Sequence, residues 1–228
     1  MSMNSEKNNV IALIADIINS RKIQNRAIFQ KEFIDVINNI NNRFDEFIVS
    51  KFTVTTGDEF QGLVNNASII LDIVTYIKSN FKDVNFRYGV GIGSIVTDIN
   101  KNIAIGADGP AYYMAREAIN YVKAIENSNK KAKTDILIQS ELPLQKLAYI
   151  NQLLKNNFYL YSKMSNRQRE LVNFFILNNE IKEKDTSNIL SISQQSINKS
   201  LHSAGFYYYK ENYEFIKRMM EDIINVSR

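Results

Sequence analysis

Hydrophobic and polar positions follow two regimes along the chain. Up to about residue 140, short apolar runs alternate with amphipathic stretches. Val10-Ile11-Ala12-Leu13-Ile14-Ala15 is an unbroken apolar run closed by Asp16, the pattern of a buried strand over 10–16. Asn19-Ser20-Arg21 break it. From Gln24 to Phe47 the period becomes helical, with Ile28, Phe29, Phe33, Val36, Ile37, Ile40 and Phe44 on one stripe. Residues 48–55 alternate as a strand around Val49, Phe52 and Val54, Gly57 supplies a turn, and Phe60 to Val64 return as the second arm of a hairpin. A helix over 67–81 turns Ile69, Ile70, Ile73, Val74 and Ile77 inward. Asn85 to Gly93 reads as a strand whose Gly89, Gly91 and Gly93 either mark bulges or admit another group close to the backbone. No helix follows at the spacing of a dinucleotide fingerprint. Residues 94–105 predict a small hairpin around Asn100. Pro110 opens a helix running to about Ile125, with Asp108 as its cap, and 134–139 form a last strand. The order β-α-β-β-α-β, with a further helix and strand, predicts an α+β sandwich of the ferredoxin-like type, its helices returning across one face of the sheet.

After Pro143 strand signals vanish. Leu144 to Asn156 reads as a helix, and Ser165 caps another that runs to Asn178. Asp185 to Leu190, a tight turn at Ser191-Ile192-Ser193, and Gln194 to Ala204, stopped by Gly205, have the shape of a helix-turn-helix. Ile189, Ile192, Ile197 and Leu201 would face inward. Gln194, Gln195, Ser196, Asn198, Lys199 and His202 would face outward, where Gln, Asn and Ser can read base edges and Lys can meet phosphate. The alternative is a helical pair that packs on the first half or dimerises. The aromatic run Phe206-Tyr207-Tyr208-Tyr209 reads as a strand or an interface, and a last amphipathic helix covers about Glu211 to Ile224. These regimes divide the chain into residues 1–142 and 143–228.

Composition narrows the chemistry more than the fold. The 228 residues include no cysteine, so thiolate metal sites and disulfides are excluded, and a single histidine, His202, excludes mechanisms built on several imidazoles. The polar stretch Met1–Asn9 and the short run ending in Asp16 do not make a signal peptide or a membrane span, which points to a cytoplasmic protein. A net charge of +4 permits a nucleic-acid partner without arguing for one.

The candidate site is Thr55-Thr56-Gly57-Asp58-Glu59-Phe60-Gln61-Gly62 together with Asp16. In a ferredoxin-like sheet the first strand lies beside the hairpin, so Asp16 and Asp58 can approach each other. Like charges so close call for a cation, and Mg²⁺ or Mn²⁺ on carboxylate oxygens would leave positions for phosphate or water. Glu59 either reaches the same ion or faces away. The plainer alternative is a polar hairpin tip, with Asp16 capping a turn. Arg87 either pairs with a core carboxylate or lines a phosphate site. Arg21 and Arg26 read as solvated, with reach to a triphosphate as the alternative for either, and Asp108 has a substrate contact as its second reading.

These stretches carry a family resemblance. Ile14-Ala15-Asp16-Ile17, Thr56-Gly57-Asp58-Glu59-Phe60, Arg87 to Gly93, and Ala115-Arg116 resemble the class III nucleotidyl cyclases, and the Gly-Asp-Glu-Phe tip resembles the diguanylate cyclases. Ala15 to Arg21, Thr56 to Gly62 and Gly106 to Arg116 resemble the SatD family more closely, over nearly the whole chain. The resemblance implies a palm-type domain that binds a nucleoside triphosphate or other nucleotide. It implies Asp16 and Asp58 as metal ligands joined by the carbonyl of Ile17, and Arg116 as the group that stabilises charge on reacting phosphates. By analogy with cyclases it also implies a homodimer. Tyr112 stands where cyclases carry an asparagine, Thr56 stands where the diguanylate signature has its first glycine, and the base-selecting residues have no clear counterpart. The expectation is therefore a nucleotide-responsive regulator with a DNA-binding tail, or alternatively an active cyclase or nucleotide-processing enzyme.

Overall fold

The computed structural model describes residues 9–55, 57–181 and 183–226, so Thr56 of the hairpin-tip motif and the polar residues 1–8 lie outside it. Five strands form one mixed sheet in the order β2-β3-β1-β4-β5, where β1 is Val10–Ile17, β2 Ile48–Val54, β3 Glu59–Val64, β4 Phe86–Gly93 and β5 Ile136–Ser140. All neighbours are antiparallel except β4 and β5. Every position of β1 is buried, because the strand is covered on both faces. Ile11, Leu13, Ala15 and Ile17 pack with helices α1 (Arg26–Arg43) and α2 (Ile69–Asn80). Val10, Ala12 and Ile14 pack beneath helix α3 (Pro110–Glu126) on the opposite face. The helices therefore occupy both faces rather than one: α1 and α2 lie on one, and α3, the crossover between the parallel β4 and β5, lies on the other.

Helix α3 lies directly on β4. A Cβ on Gly89 would run into the Ala115 carbonyl, and one on Gly91 into the Ala111 carbonyl and the Ala115 amide. The alternating glycines thus serve close approach, the second of their two readings. Other expectations change in detail. Residues 94–105 form no hairpin. Val96, Ile99, Ile103 and Ile105 are exposed, and of the segment's apolar residues only Ala104 is buried, with Ile95 half-buried against the core. The segment lies along β2 as a loop instead, where the Lys51 amide donates to the Lys101 carbonyl at 3.0 Å and Ser50 Oγ to the Asn100 carbonyl at 2.6 Å. Ile28, expected on the inner stripe of α1, is 61% exposed. Asn41, an inward position of α1, holds both backbone groups of Phe52, at 2.9 and 2.8 Å, where the β2 register shifts between Ser50 and Thr53.

The second half comprises α4 (Lys146–Lys163), α5 (Asn166–Leu177), α6 (Glu183–Leu190), α7 (Gln194–Ser203) and α8 (Phe206–Val226). Helix α4 runs seven residues past its expected end at Asn156 because its inner stripe continues through a polar residue. Asn157 is buried, with Nδ2 on the Tyr209 carbonyl at 3.1 Å and Oδ1 taking a bond from Asn212. Ser165 caps α5 in a capping box with Gln168. The run Phe206 to Tyr209 is the first turn of α8 rather than a strand, with Phe206 and Tyr209 buried and Tyr207 and Tyr208 exposed. These helices share one apolar cluster with α1, α2 and the sheet. Tyr213 Oη donates to Asp72 Oδ1 at 2.7 Å, and Lys217 Nζ bonds Asp72 Oδ2 at 2.7 Å. Among the described residues no helix is long and apolar enough to cross a membrane.

A buried seam joins the halves: Lys78 of α2 pairs with Asp135 at 2.6 Å and lies over the Tyr161 ring. Burial pushes the Tyr209 hydroxyl up to about 12, and those of Tyr88 and Tyr213 well above their ordinary value. The folded state therefore keeps protons that the unfolded chain releases near pH 10, so stability present below pH 10 is lost as pH rises through about 12. Circular dichroism followed alongside phenolate absorbance should show cooperative unfolding in that interval. Phenolate formation ahead of unfolding would contradict it.

Candidate functional site

Strand register decides which acids meet. Asp16 stands opposite Glu59 on β3 and opposite Arg87 on β4. Cross-strand partners share a face, so Asp16, Glu59 and Arg87 all lie on the α3 side. Asp16 is 8% exposed, and both its oxygens carry a cation: Arg87 Nη1 on Oδ1 at 3.0 Å and Lys123 Nζ on Oδ2 at 2.7 Å. Arg87 also bonds Glu126 through Nε at 2.6 Å. Burial pulls the Arg87 guanidinium down, but its bonds to Glu126 and Asp16 outweigh this and hold it above its ordinary value. Glu59 is held by Arg116 in a bidentate fork, 2.5 Å from Nη1 to Oε2 and 2.8 Å from Nη2 to Oε1. That bond raises the Arg116 guanidinium.

Asp58 sits one position earlier, at the hairpin tip after Gly57, whose φ of +79° suits glycine. Its carbonyl accepts the Ile17 amide at 2.9 Å, and its Oδ2 accepts Ser20 Oγ at 2.6 Å. Ile17 is a core residue, 4% exposed, so only its backbone can reach the site. The structure thus gathers Asp16, Glu59, Arg87 and Arg116 into one ion-pair network, with Asp58 anchored beside it through Ser20. Arg21 is exposed in the short 3₁₀ turn Ser20–Lys22 after β1. Asp108 is elsewhere: it lies before the start of α3 at Pro110, which is itself roughly 9 Å along the helix from Arg116. It does not cap the helix, since Gly109 holds that position without a side-chain bond, and the Asp108 carboxylate instead accepts Tyr113 Oη at 2.7 Å.

Sequence reasoning missed Lys123, Glu126 and Ser20. With Arg116, the first two lie on one stripe of α3, at spacings of seven and then three, but the facing register of α3 was needed to show which stripe meets the strand ends. Tyr112 packs among Val10, Ala12, Ile14 and Leu63, and burial pushes its hydroxyl up. A cleft of about 400 Å³ begins at Glu126 and runs past Ile18 and Asn19 to Lys82 and Arg169.

Carboxylate oxygens are the donors Mg²⁺ or Mn²⁺ prefer, and three carboxylates stand on two adjacent strand ends. Asp16 and Glu59 are paired with cations and Asp58 with the Ser20 hydroxyl, and among the described residues no group of three or more acidic or histidine side chains is gathered closely enough to hold a metal ion. The donor types fit; the arrangement does so only if Arg116 and Lys123 release their carboxylates.

The tail forms two helices joined at Ser191, whose φ is +53°, with Ser193 capping α7. Ile197 and Leu201 are buried as expected, but Ile189 is 57% exposed. Gln194, Gln195, Ser196, Lys199 and His202 are exposed. Asn198 is half-buried rather than exposed, and its Oδ1 is buried without a partner among the described residues.

The profile of the SatD family matches residues 10–220, and the chain belongs to that family. Among solved structures, the guanylate cyclase domain of RhGC from Catenaria anguillulae, solved in complex with GTP, aligns with 50% of this chain and 73% of its own, at 16% identity and a TM-score of 0.37. So loose a likeness leaves function to be argued from the residues themselves. A search of curated proteins returns no match.

Proposed function

We propose that the strand-end network binds the polyphosphate of a nucleotide together with Mg²⁺ or Mn²⁺, in a palm-like, ferredoxin-type sheet. The observation that carries the reading is that Asp16 and Glu59, facing each other across two strands, are each pinned by a cation from one stripe of α3 whose side chain is about half exposed, Lys123 and Arg116. A metal–polyphosphate complex presents positive charge to the carboxylates and negative oxygens to the cations. Each existing pair can therefore be exchanged for a new one without stranding a charge. Asp16 and Asp58, with Glu59 and the Ile17 carbonyl beside them, would hold the ion; the ion would neutralise the phosphates. Arg116, Lys123 and Arg87 would hold phosphate oxygens, with Arg21 at the rim.

In this reading the protein senses a nucleotide, and the exposed Gln194, Gln195, Ser196 and Lys199 of α7 offer a surface for DNA, so that the chain acts as a nucleotide-responsive regulator. Tyr112, buried in packing rather than turned to a ligand, favours sensing. The Arg116 fork, with donors aimed at acidic oxygens, favours the alternative of phosphoryl chemistry. Calorimetric titration of nucleoside triphosphates, with and without Mg²⁺ or Mn²⁺, tests the proposal beside Asp58→Asn. Binding should require the metal and weaken about tenfold or more in the variant. Wild-type protein that binds no triphosphate in the presence of either metal would sink the site. Binding without product selects the sensor over the enzyme.

A further inference from the structure

Net charge is unevenly shared. Residues 143–228 hold twelve Lys and Arg against eight Asp and Glu, which accounts for the whole excess of +4; the first 142 residues balance at sixteen of each. Most of the lysines tied to the fold have carboxylate partners: Lys78, Lys82, Lys123, Lys146 and Lys217 all do. A different arrangement lies on the outer side of α4. There a groove of about 590 Å³ runs between the loop before β5, the C-terminal half of α4 and the first turn of α8. Lys133, Lys155 and Lys163 line it, no Asp or Glu does, and none of the three lysines makes an ion pair among the described residues.

The same groove exposes aromatic rings. Tyr159 is 62% exposed and Tyr208 73%, large apolar faces left in water beside unneutralised cations. Lys163 Nζ already sits 5.2 Å from the centre of the Tyr159 ring. Further along the same face of α4, Tyr149 is 68% exposed. From Tyr149 to Lys163 the helix advances roughly 21 Å, more than one nucleotide needs. Lys130 and Lys131 stand in the adjoining loop.

We propose that this groove binds single-stranded nucleic acid, with Lys133, Lys155 and Lys163 on backbone phosphates and unpaired bases stacked on Tyr159 and Tyr208. Charge complementarity selects a polyanion, and the exposed rings select one whose base faces are free. A duplex keeps those faces stacked on each other and offers the rings nothing. The surface is separate from α7, where Lys199 is the one lysine among the outward positions, and from the strand-end network on α3.

The test uses full-length protein and fluorescence anisotropy with labelled mixed-sequence DNA and RNA single strands, with unlabelled duplex as competitor. Wild type should bind at least one of the single strands at low salt, and the two together read which sugar is accepted. Tyr159→Ala should weaken binding about tenfold. Lys155→Ala combined with Lys163→Ala should weaken it as well and reduce the slope of log K against log salt by about 1.4. Lys199→Ala should leave it unchanged. All these side chains reach solvent, and circular dichroism of each variant verifies the fold. Absence of single-strand binding, displacement by duplex, or binding unaffected by both groove variants would overturn the assignment.

Discussion

Asp16→Asn should abolish metal-dependent nucleotide binding while leaving a folded protein. Asparagine keeps the shape and one oxygen for Arg87, but it removes the charge that Lys123 and Arg87 share and that a metal would require. Binding should fall at least about 100-fold, the upper end of what losing even an outer partner of a metal ligand costs. Stability should fall less. Breaking a fully buried pair costs about 3–5 kcal/mol, but Arg87 retains Glu126 and Lys123 is half exposed, so about 2 kcal/mol is expected by denaturant titration. Wild-type affinity in a folded Asp16→Asn protein would show that the carboxylate serves only to hold the arginine. The two readouts separate a ligand-binding role from a structural one, which neither does alone.

Gly91→Ala should have the largest effect on stability of any single methyl group added to the sheet. The new Cβ would meet the backbone of α3 at two atoms, the Ala111 carbonyl and the Ala115 amide, and backbone cannot turn aside as a side-chain tip can. Helix α3 would have to lift from β4, opening the packing of Ala111, Tyr112, Ala115 and Ile119. A loss of about 4 kcal/mol is expected, beyond ordinary overpacking because no rotamer relieves it. Thermal melts followed by circular dichroism measure it. Gly106→Ala is the contrast: its added Cβ meets nothing within 4 Å, and the strain of its φ of +94° alone remains. Equal melting temperatures for the two variants would refute the close-packing account.

Strand β1 was legible because burial on both faces leaves no polar alternation. Val10 to Ala15 is apolar throughout, and the same feature, read more strictly, also announced a helix on each side of the sheet. The glycines of β4 left two readings because sequence does not show what lies across a strand. Asn157 hid the length of α4, since a buried amide looks like a solvated one until its carbonyl partner is known. At the site, residue types were readable and pairings were not. The acids at 16, 58 and 59 were apparent, but register set Asp16 against Glu59, and the stripe of α3 that brings Lys123 and Glu126 is a tertiary fact. The SatD resemblance extends over the chain as expected.

The seating of α3 has a mechanical consequence. With no side-chain layer between helix and strand at Gly89 and Gly91, one backbone contact sets where α3 and β4 place Arg116, Lys123 and Arg87. The two elements that carry the cations thus form one backbone unit, and the half-exposed side chains of Arg116 and Lys123 supply the movement that a ligand would require.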